Sequence, residues 1–143
     1  MRIPLPTIEK CLAACALLMA ASAGSAHGPS APRETIVPAF AHAITSVPGK
    51  VVTALVVSYQ PGGRTPPHRH GQAFVIGYVL EGSVRSRLDN GEEQIYRAGE
   101  SWTEGPGAHH LESDNASDIE SAKLLAIFIT DSKDKDLVIF DKQ

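Results

Sequence analysis

Apolar and polar residues form short blocks along this chain, with the spacing of β-strands. Residues 51–59 are β-branched or apolar almost throughout, as in a strand that is covered on both faces. Residues 83–88 alternate, with every second side chain on the same face. The sequence Asp89-Asn90-Gly91 then predicts a hairpin, because Asn-Gly accepts the positive φ angles of tight turns. Further strands are predicted at 73–80, 94–96, 123–130 and 137–140.

Residues 46–143 are predicted to form one all-β domain. No stretch of this region has the 3.6-residue period of a helix, and glycine and proline separate its short strands. This pattern is typical of a sandwich or barrel. We find no internal repeat, and roughly 115–120 residues suit a single hydrophobic core. Residues 27–45 are predicted to form a flexible N-terminal arm, rich in Pro, Ser and Ala at 28–35, and the first strand.

The first 26 residues have the pattern of a secretory signal peptide. Arg2 and Lys10 precede an apolar run at 11–21, and small residues follow this run as far as Ala26. The run is shorter than the ~20 residues that span a bilayer as a helix. We therefore expect a periplasmic or secreted protein that is free of the membrane after signal cleavage. The alternatives are a lipid anchor at Cys15 and a buried N-terminal helix.

Cysteine content and charge narrow the functional classes. Both cysteines, Cys11 and Cys15, lie inside the predicted signal peptide, so the mature domain would have neither a disulfide nor a thiolate metal ligand. The full chain carries 13 basic and 16 acidic residues, and loss of Arg2, Lys10 and Glu9 with the signal leaves a net charge of −4. A mildly acidic domain has no electrostatic basis for binding nucleic acid.

Histidine spacing gives the first indication of chemistry. His68 and His70 are separated by one residue, so on a strand both face the same side, with Cα atoms roughly 6.5–7 Å apart. Two imidazoles so placed can bind one ion at about 2.0–2.1 Å. Pro66 and Pro67 stiffen the approach to the pair. By itself the pair is weak evidence, because paired surface histidines are common.

Together with its glycines, the histidine pair resembles the cupin family. The family's first motif, G-x5-H-x-H-x3–4-E-x6-G, is matched by Gly62, His68, His70 and Gly82. The second, G-x5-P-x-G-x2-H-x3-N, is matched by Gly99, Gly107 and His110, with Asn115 one place late. The resemblance covers most of residues 51–129. It implies an antiparallel jelly-roll β-barrel with a divalent metal bound inside by His68, His70 and His110.

The chain departs from the first motif at a ligand position. Counting back from Gly82, the family's glutamate falls on Val75, next to Phe74, and neither side chain can bind metal. In the second motif Gly105 replaces the proline, although Pro106 follows it. Three neutral imidazoles would leave the site of a divalent ion at a charge of +2. Such a site favours anionic, chelating substrates and lowers the pKa of bound water.

Two polar residues are candidates for the missing ligand. Gln72 lies two residues past His70 and would reach the ion if it turned inward. Glu104 precedes the glycine-rich turn, where it would bind the ion or hydrogen-bond a ligand histidine. Glu104 is also the best candidate for a general base in catalysis. For both residues the alternative is a solvated loop side chain.

The third ligand and the surrounding pocket leave alternatives open. His109 competes with His110, since adjacent residues on a strand face opposite ways and only one reaches the interior. The family spacing favours His110. Four aromatic residues are candidates to line an apolar pocket, with ordinary core packing as the alternative: Phe74, Tyr78, Trp102 and Phe128.

The resemblance implies a small-molecule ligand or substrate and one transition-metal ion. Iron, manganese, nickel, copper and zinc all accept imidazole. Our leading hypothesis is a metal-dependent enzyme that acts on a small chelating substrate, either dioxygenase-like or an isomerase or lyase. The alternatives are a non-catalytic periplasmic binding module and a metal-free barrel, the latter disfavoured because unpartnered buried imidazoles cost roughly 1–3 kcal/mol each. The resemblance also favours a homodimer.

Overall fold

The computed structural model describes residues 33–142. The predicted signal peptide, both cysteines and most of the predicted arm lie outside the described residues. Within them the chain forms strands and no helix, and accordingly no helix long and apolar enough to cross a membrane. This confirms the predicted all-β class.

Eleven strands follow one another along the described chain. They are β1 (Glu34–Ala43), β2 (Lys50–Tyr59), β3 (Arg64–Thr65), β4 (His68–Arg69), β5 (Phe74–Glu81), β6 (Ser83–Leu88), β7 (Gln94–Arg97), β8 (Ser101–Glu104), β9 (His109–Asn115), β10 (Ala122–Asp131) and β11 (Ile139–Phe140). The strands predicted from the pattern of apolar residues are therefore present. The last is shorter than predicted, with only two residues.

The strands form two antiparallel sheets. One has the order β1-β2-β10-β5-β8 and the other the order β11-β4-β9-β6-β7, with β3 paired to β9. Most neighbours within a sheet are distant in sequence, so the chain crosses repeatedly from one sheet to the other. This is the connectivity of a jelly roll. The predicted antiparallel jelly-roll architecture is confirmed.

The core lies between the two sheets. On β2, β5 and β10 alternate side chains point inward, as the two-residue period of a strand requires. The larger core cluster contains Val57, Tyr59, Val79, Val84, Trp102, Ala122 and Leu124, and the smaller one contains Ala73, Val75 and Phe128. Burying a side chain of this size contributes roughly 1.5–3 kcal/mol. The smaller cluster packs beside the histidines described below.

The strand β1 forms one edge of its sheet, and it begins within the segment that was predicted to be a flexible arm. Glu34 and Thr35, predicted to belong to the arm, pair with Tyr59 and Ser58 of β2. The register shifts between Pro38 and Phe40. A proline is tolerated there because an edge strand has no second neighbour that needs its missing N–H.

The predicted hairpin joins β6 to β7, but its turn differs from the prediction. The positive φ lies on Asp89, at 45°, and not on Gly91. The Oδ1 atom of Asp89 accepts a hydrogen bond from the backbone N–H of His109, at 3.0 Å. Aspartate adopts this conformation more readily than most residues other than glycine, and the long-range bond to His109 holds it in place.

Candidate metal centre

The fold brings three histidines together in the interior. His68 lies on β4 and His110 on β9, where they are direct cross-strand partners. His70 follows β4 by one residue. Their exposed fractions are 4%, 9% and 3%, and one ring nitrogen of each lies within 4.8 Å of the others. These are the three residues that the family resemblance implied as ligands, and as a group they could hold a metal ion.

Two of the rings are fixed by backbone carbonyl groups. The Nδ1 atom of His68 lies 2.7 Å from the oxygen of Pro66, and the Nδ1 atom of His70 lies 2.6 Å from that of Leu137. Because a carbonyl only accepts, both Nδ1 atoms carry the proton of a neutral ring. Both Nε2 atoms are then unprotonated, and they lie 3.1 Å apart. Two lone pairs therefore face each other with no proton between them.

Burial keeps these two rings neutral. It lowers the pKa of His68 to about 4, against the opposing effect of the hydrogen bond to Pro66. Burial also lowers the pKa of His70, again against its hydrogen bond to Leu137. At neutral pH neither ring has to lose a proton before it can bind a metal. The spacing of the Nε2 atoms suits two ligands of one ion at about 2.0–2.1 Å.

His110 is held from both sides. Its Nε2 atom lies 2.9 Å from Ser86 Oγ, and its Nδ1 atom lies 3.2 Å from Glu104 Oε1. Its neighbour His109 is partly buried and points away from the site, with its Nε2 atom 2.8 Å from a carboxylate oxygen of Asp141. Of the two adjacent histidines, the structure places His110 in the interior.

Glu104 is the only buried carboxylate among the described residues, with 3% of its surface exposed. Its Oε1 atom accepts a hydrogen bond from Trp102 Nε1, at 3.0 Å. Within residues 33–142 its Oε2 atom has no hydrogen-bond partner, and it lies 3.5 Å from His70 Nε2. Burial by itself would raise the pKa of Glu104, but the contacts with His110, His70 and Trp102 together outweigh burial and lower it. An ionised carboxylate therefore adjoins the three histidines.

The other sequence candidates lie elsewhere. Gln72 is exposed, in the turn before β5. Phe74 and Tyr78 point outward and are 38% and 39% exposed, so the suggestion that they line the pocket is wrong. They occupy the alternate positions of β5, whose inward face carries Val75. Phe128 does face the site, with its ring centroid 5.1 Å from that of His70.

A small cavity of about 40 Å³ adjoins the histidines. Its walls are mostly apolar side chains of β2 and β10. At least three hydroxyl-bearing residues also line it: Tyr59, Thr65 and Ser113. Sequence analysis did not place these three residues near the histidines. It also missed Ser86 and Leu137. Ser86 carried a usable signal, since it shares the alternating face of β6 with Val84, which is fully buried.

The three hydroxyl groups form an ordered chain. Thr65 donates to the carboxylate of Glu34, so it accepts from the Tyr59 hydroxyl, 2.7 Å away. Tyr59 in turn accepts from Ser113, at 2.9 Å. Burial raises the pKa of Tyr59 to about 12, and it also raises that of Glu34. The direction of this chain leaves the oxygen of Ser113 as a hydrogen-bond acceptor at the cavity.

Comparison with protein families gives one match. The family model described as a cupin domain matches residues 55–128, slightly more than half of the chain. No curated protein sequence matches significantly.

Several solved structures share the fold. A recombinant oxalate oxidase in complex with glycolate is 23% identical, with a TM-score of 0.59, over 78% of this chain and 57% of that chain. KdgF from Halomonas sp. is 19% identical, with a TM-score of 0.56, over 74% and 86% of the two chains. An uncharacterised double-stranded β-helix protein from Klebsiella pneumoniae is 17% identical, with a TM-score of 0.58, over 81% and 90%. At these identities the comparisons show a common fold alone.

Proposed function

Since the chain belongs to the cupin family, we propose that it binds one divalent transition-metal ion through His68, His70 and His110. One observation carries this proposal: the unprotonated Nε2 atoms of His68 and His70 face each other at 3.1 Å. Without a cation, two lone pairs at this distance repel each other in a buried, poorly solvated site. The donor set fits iron, manganese, nickel, copper or zinc.

We further propose that the site acts on a small chelating organic molecule. When bound, the ion would polarise such a substrate, and a redox-active ion would allow its reaction with O2. The chain's own residues hold the three imidazoles in one orientation and exclude bulk water. The apolar walls of β2 and β10 strengthen electrostatic interactions inside the cavity.

The size of the cavity limits the substrate. A volume of about 40 Å³ accommodates about three water-sized groups. The Ser113 oxygen offers an acceptor for a hydroxyl group of the ligand. A short hydroxy acid meets both conditions, so glycolate is a suitable first probe, as the similarly folded oxalate oxidase was solved with glycolate.

The metal content of the purified protein tests this proposal. The protein is produced without a histidine tag, and bound metals are measured by plasma mass spectrometry beside the variants His68→Ala and His110→Ala. His109→Ala is the matched control, because His109 is adjacent in sequence but lies outside the group of three histidines. We expect about one equivalent of metal, lost in the first two variants and kept in the third. A wild-type protein that binds no metal at micromolar concentration would refute the proposal.

The nature of the metal directs the assays that follow. Iron, manganese or copper leads to oxygen-uptake assays with glycolate, other short hydroxy acids and oxalate. Zinc or nickel leads to assays for isomerases and lyases.

A non-catalytic binding module is the second candidate. The small cavity favours it, because an ion that is retained without turnover needs little space beside it. A metal-loaded protein that binds a small ligand but converts none of the substrates above would support this function.

Export and dimerisation remain proposals of their own. We propose that residues 1–26 are removed and that the protein is periplasmic or secreted, with lipid attachment at Cys15 as the alternative. N-terminal sequencing of the protein from each cell fraction distinguishes these cases. Light scattering on the same preparation tests for a homodimer.

A further inference from the structure

The carboxylate that the first cupin motif lacks has a counterpart on the neighbouring strand. Val75 occupies the motif's glutamate position on β5, and its direct cross-strand partner on β8 is Glu104. Both side chains are buried, with 2% and 3% of their surface exposed, and both point to the interior. Directly opposed residues of an antiparallel pair have Cβ atoms about 4.5–5.5 Å apart. A glutamate side chain spans that distance.

The two oxygen atoms of Glu104 have different surroundings. Oε1 is held by Trp102 and contacts His110, whereas Oε2 lacks a hydrogen-bond partner among the described residues. Oε2 lies 3.5 Å from His70 Nε2, the same atom that faces the Nε2 atom of His68. A buried carboxylate oxygen without a partner is costly unless a cation compensates it. The Nε2 atom of His70 thus has two unprotonated, electron-rich neighbours, the Nε2 atom of His68 and the Oε2 atom of Glu104.

We propose that Glu104 is a fourth protein ligand of the metal, supplied from β8 instead of from the motif position on β5. This inference rests on the proposed metal-binding function. It changes the charge of the site, since three imidazoles and one carboxylate leave a divalent ion at +1. It also changes the expected metal, because carboxylate oxygen favours manganese relative to ions that prefer nitrogen ligands alone.

A competing role for Glu104 is to position His110. In that role its Oε1 atom would fix the His110 ring, and Oε2 would make no bond to the metal. Loss of a residue that only supports a ligand typically lowers metal affinity 10–100-fold, with no reason for one metal to suffer more than another. Loss of a ligand should lower metal affinity by a larger factor, and that factor should differ from one metal to another.

A relocation experiment distinguishes the two roles. Glu104→Gln removes the charge, and the double variant Val75→Glu with Glu104→Val returns the carboxylate to β5. Glu92→Gln is the matched control, since it makes the same change at an exposed position. Each metal-free protein is titrated with Mn²⁺ and with Zn²⁺ by calorimetry, and its fold is checked by circular dichroism.

We expect Glu104→Gln to weaken Mn²⁺ binding at least about 100-fold, beyond the range for a supporting residue, and Zn²⁺ binding less. The double variant should recover Mn²⁺ affinity to within about tenfold of the wild type. If that variant does not fold, the two roles are distinguished by comparing the loss of Mn²⁺ affinity with the loss of Zn²⁺ affinity in Glu104→Gln.

Three results would overturn the inference. Wild-type affinity in Glu104→Gln would show that the carboxylate does not bind the metal. Equal losses for both metals, with no recovery in a folded double variant, would assign Glu104 to positioning alone. Absence of metal binding in the wild type would instead refute the proposed function, and the inference with it.

Discussion

The indole ring of Trp102 lies over Gly77, its direct partner across the β5–β8 pair. A Cβ atom at position 77 would lie 2.5 Å from two carbon atoms of that ring. Any residue but glycine would therefore displace Trp102, whose Nε1 atom holds the carboxylate of Glu104. Glycine inside a strand usually marks such a close approach. Here it connects the packing of the core to the candidate metal site.

Gly77→Ala should destabilise the protein by about 1–3 kcal/mol, the usual cost of forcing extra volume into a packed core. Urea unfolding measures the change. Gly105→Ala is the control, because among residues 33–142 no atom lies within 4 Å of a Cβ built there, and its φ is not positive. We expect less than about 0.5 kcal/mol for the control. Equal unfolding midpoints for the two variants would contradict the role given to Gly77.

Tyr59→Phe should cost about 1–3 kcal/mol in the free energy of unfolding. The substitution removes the hydroxyl that joins Thr65 to Ser113 and leaves both of these buried groups short of a partner. Denaturant unfolding at neutral pH checks this value. Tyr78→Phe makes the same chemical change on the outer face of β5 and should have little effect.

Wild-type stability should fall as the pH rises from about 10 to about 12. Below this range Tyr59 is protonated in both states; within it the unfolded chain releases the proton while the folded protein keeps it. A pKa difference of about two units corresponds to a loss of about 2–3 kcal/mol. Unfolding experiments across this range, run in parallel on Tyr59→Phe, measure the effect. The variant should lack this part of the decline. If the free energy of unfolding falls equally steeply with pH in both proteins, Tyr59 is not the origin of the decline.

Added metal should stabilise the folded protein. At a free metal concentration one hundred times the Kd, the expected gain is about 2.7 kcal/mol, if the unfolded chain does not bind the ion. Thermal unfolding with Mn²⁺ or Zn²⁺, and again after addition of a chelator, measures the gain and its reversal. His110→Ala should not respond to the metal, whereas His109→Ala should respond like the wild type. A response in His110→Ala would place the ion elsewhere.

Asn115→Ala should destabilise the protein by roughly 1–3 kcal/mol. The Asn115 amide nitrogen donates to the carbonyl groups of Gln60 and Glu120, and its oxygen accepts from the N–H of Ser117. The substitution removes all three bonds at a buried side chain, although the Gln60 carbonyl keeps the bond from the Gly63 N–H. Asn90→Ala, in the exposed hairpin turn, is the control, and comparable losses in the two variants would argue against this account.

Periodicity was sufficient to predict most of the fold. The apolar block at 51–59 and the alternation at 83–88 correspond closely to β2 and β6, because both strands are fixed by local burial patterns. Periodicity served less well at β1, which lies at a sheet edge and is exposed along most of its length. There the apolar pattern does not reflect burial, and the positions of Glu34 and Thr35 depend on pairing with β2.

The candidate site was predicted in part. His68, His70 and His110 follow from spacing along the chain, which the family motif records. The opposition of Val75 and Glu104 depends on the register between β5 and β8, and a whole hairpin of the other sheet lies between these strands in sequence. The carbonyl of Leu137, which fixes the His70 ring, lies 67 residues further along the chain. Contacts of this range depend on the folded topology and leave no local signal.

The contact between His70 and Leu137 makes the segment before β11 part of the support for the candidate metal site. The strand β11 pairs with β4 next to this contact, and Phe140 is the cross-strand partner of His68. Until residues 137–140 dock, His70 has no fixed acceptor for its Nδ1 proton, and its two tautomers interconvert freely. Removal of residues 137–140 should therefore leave the His70 ring without its fixed orientation in the proposed metal site.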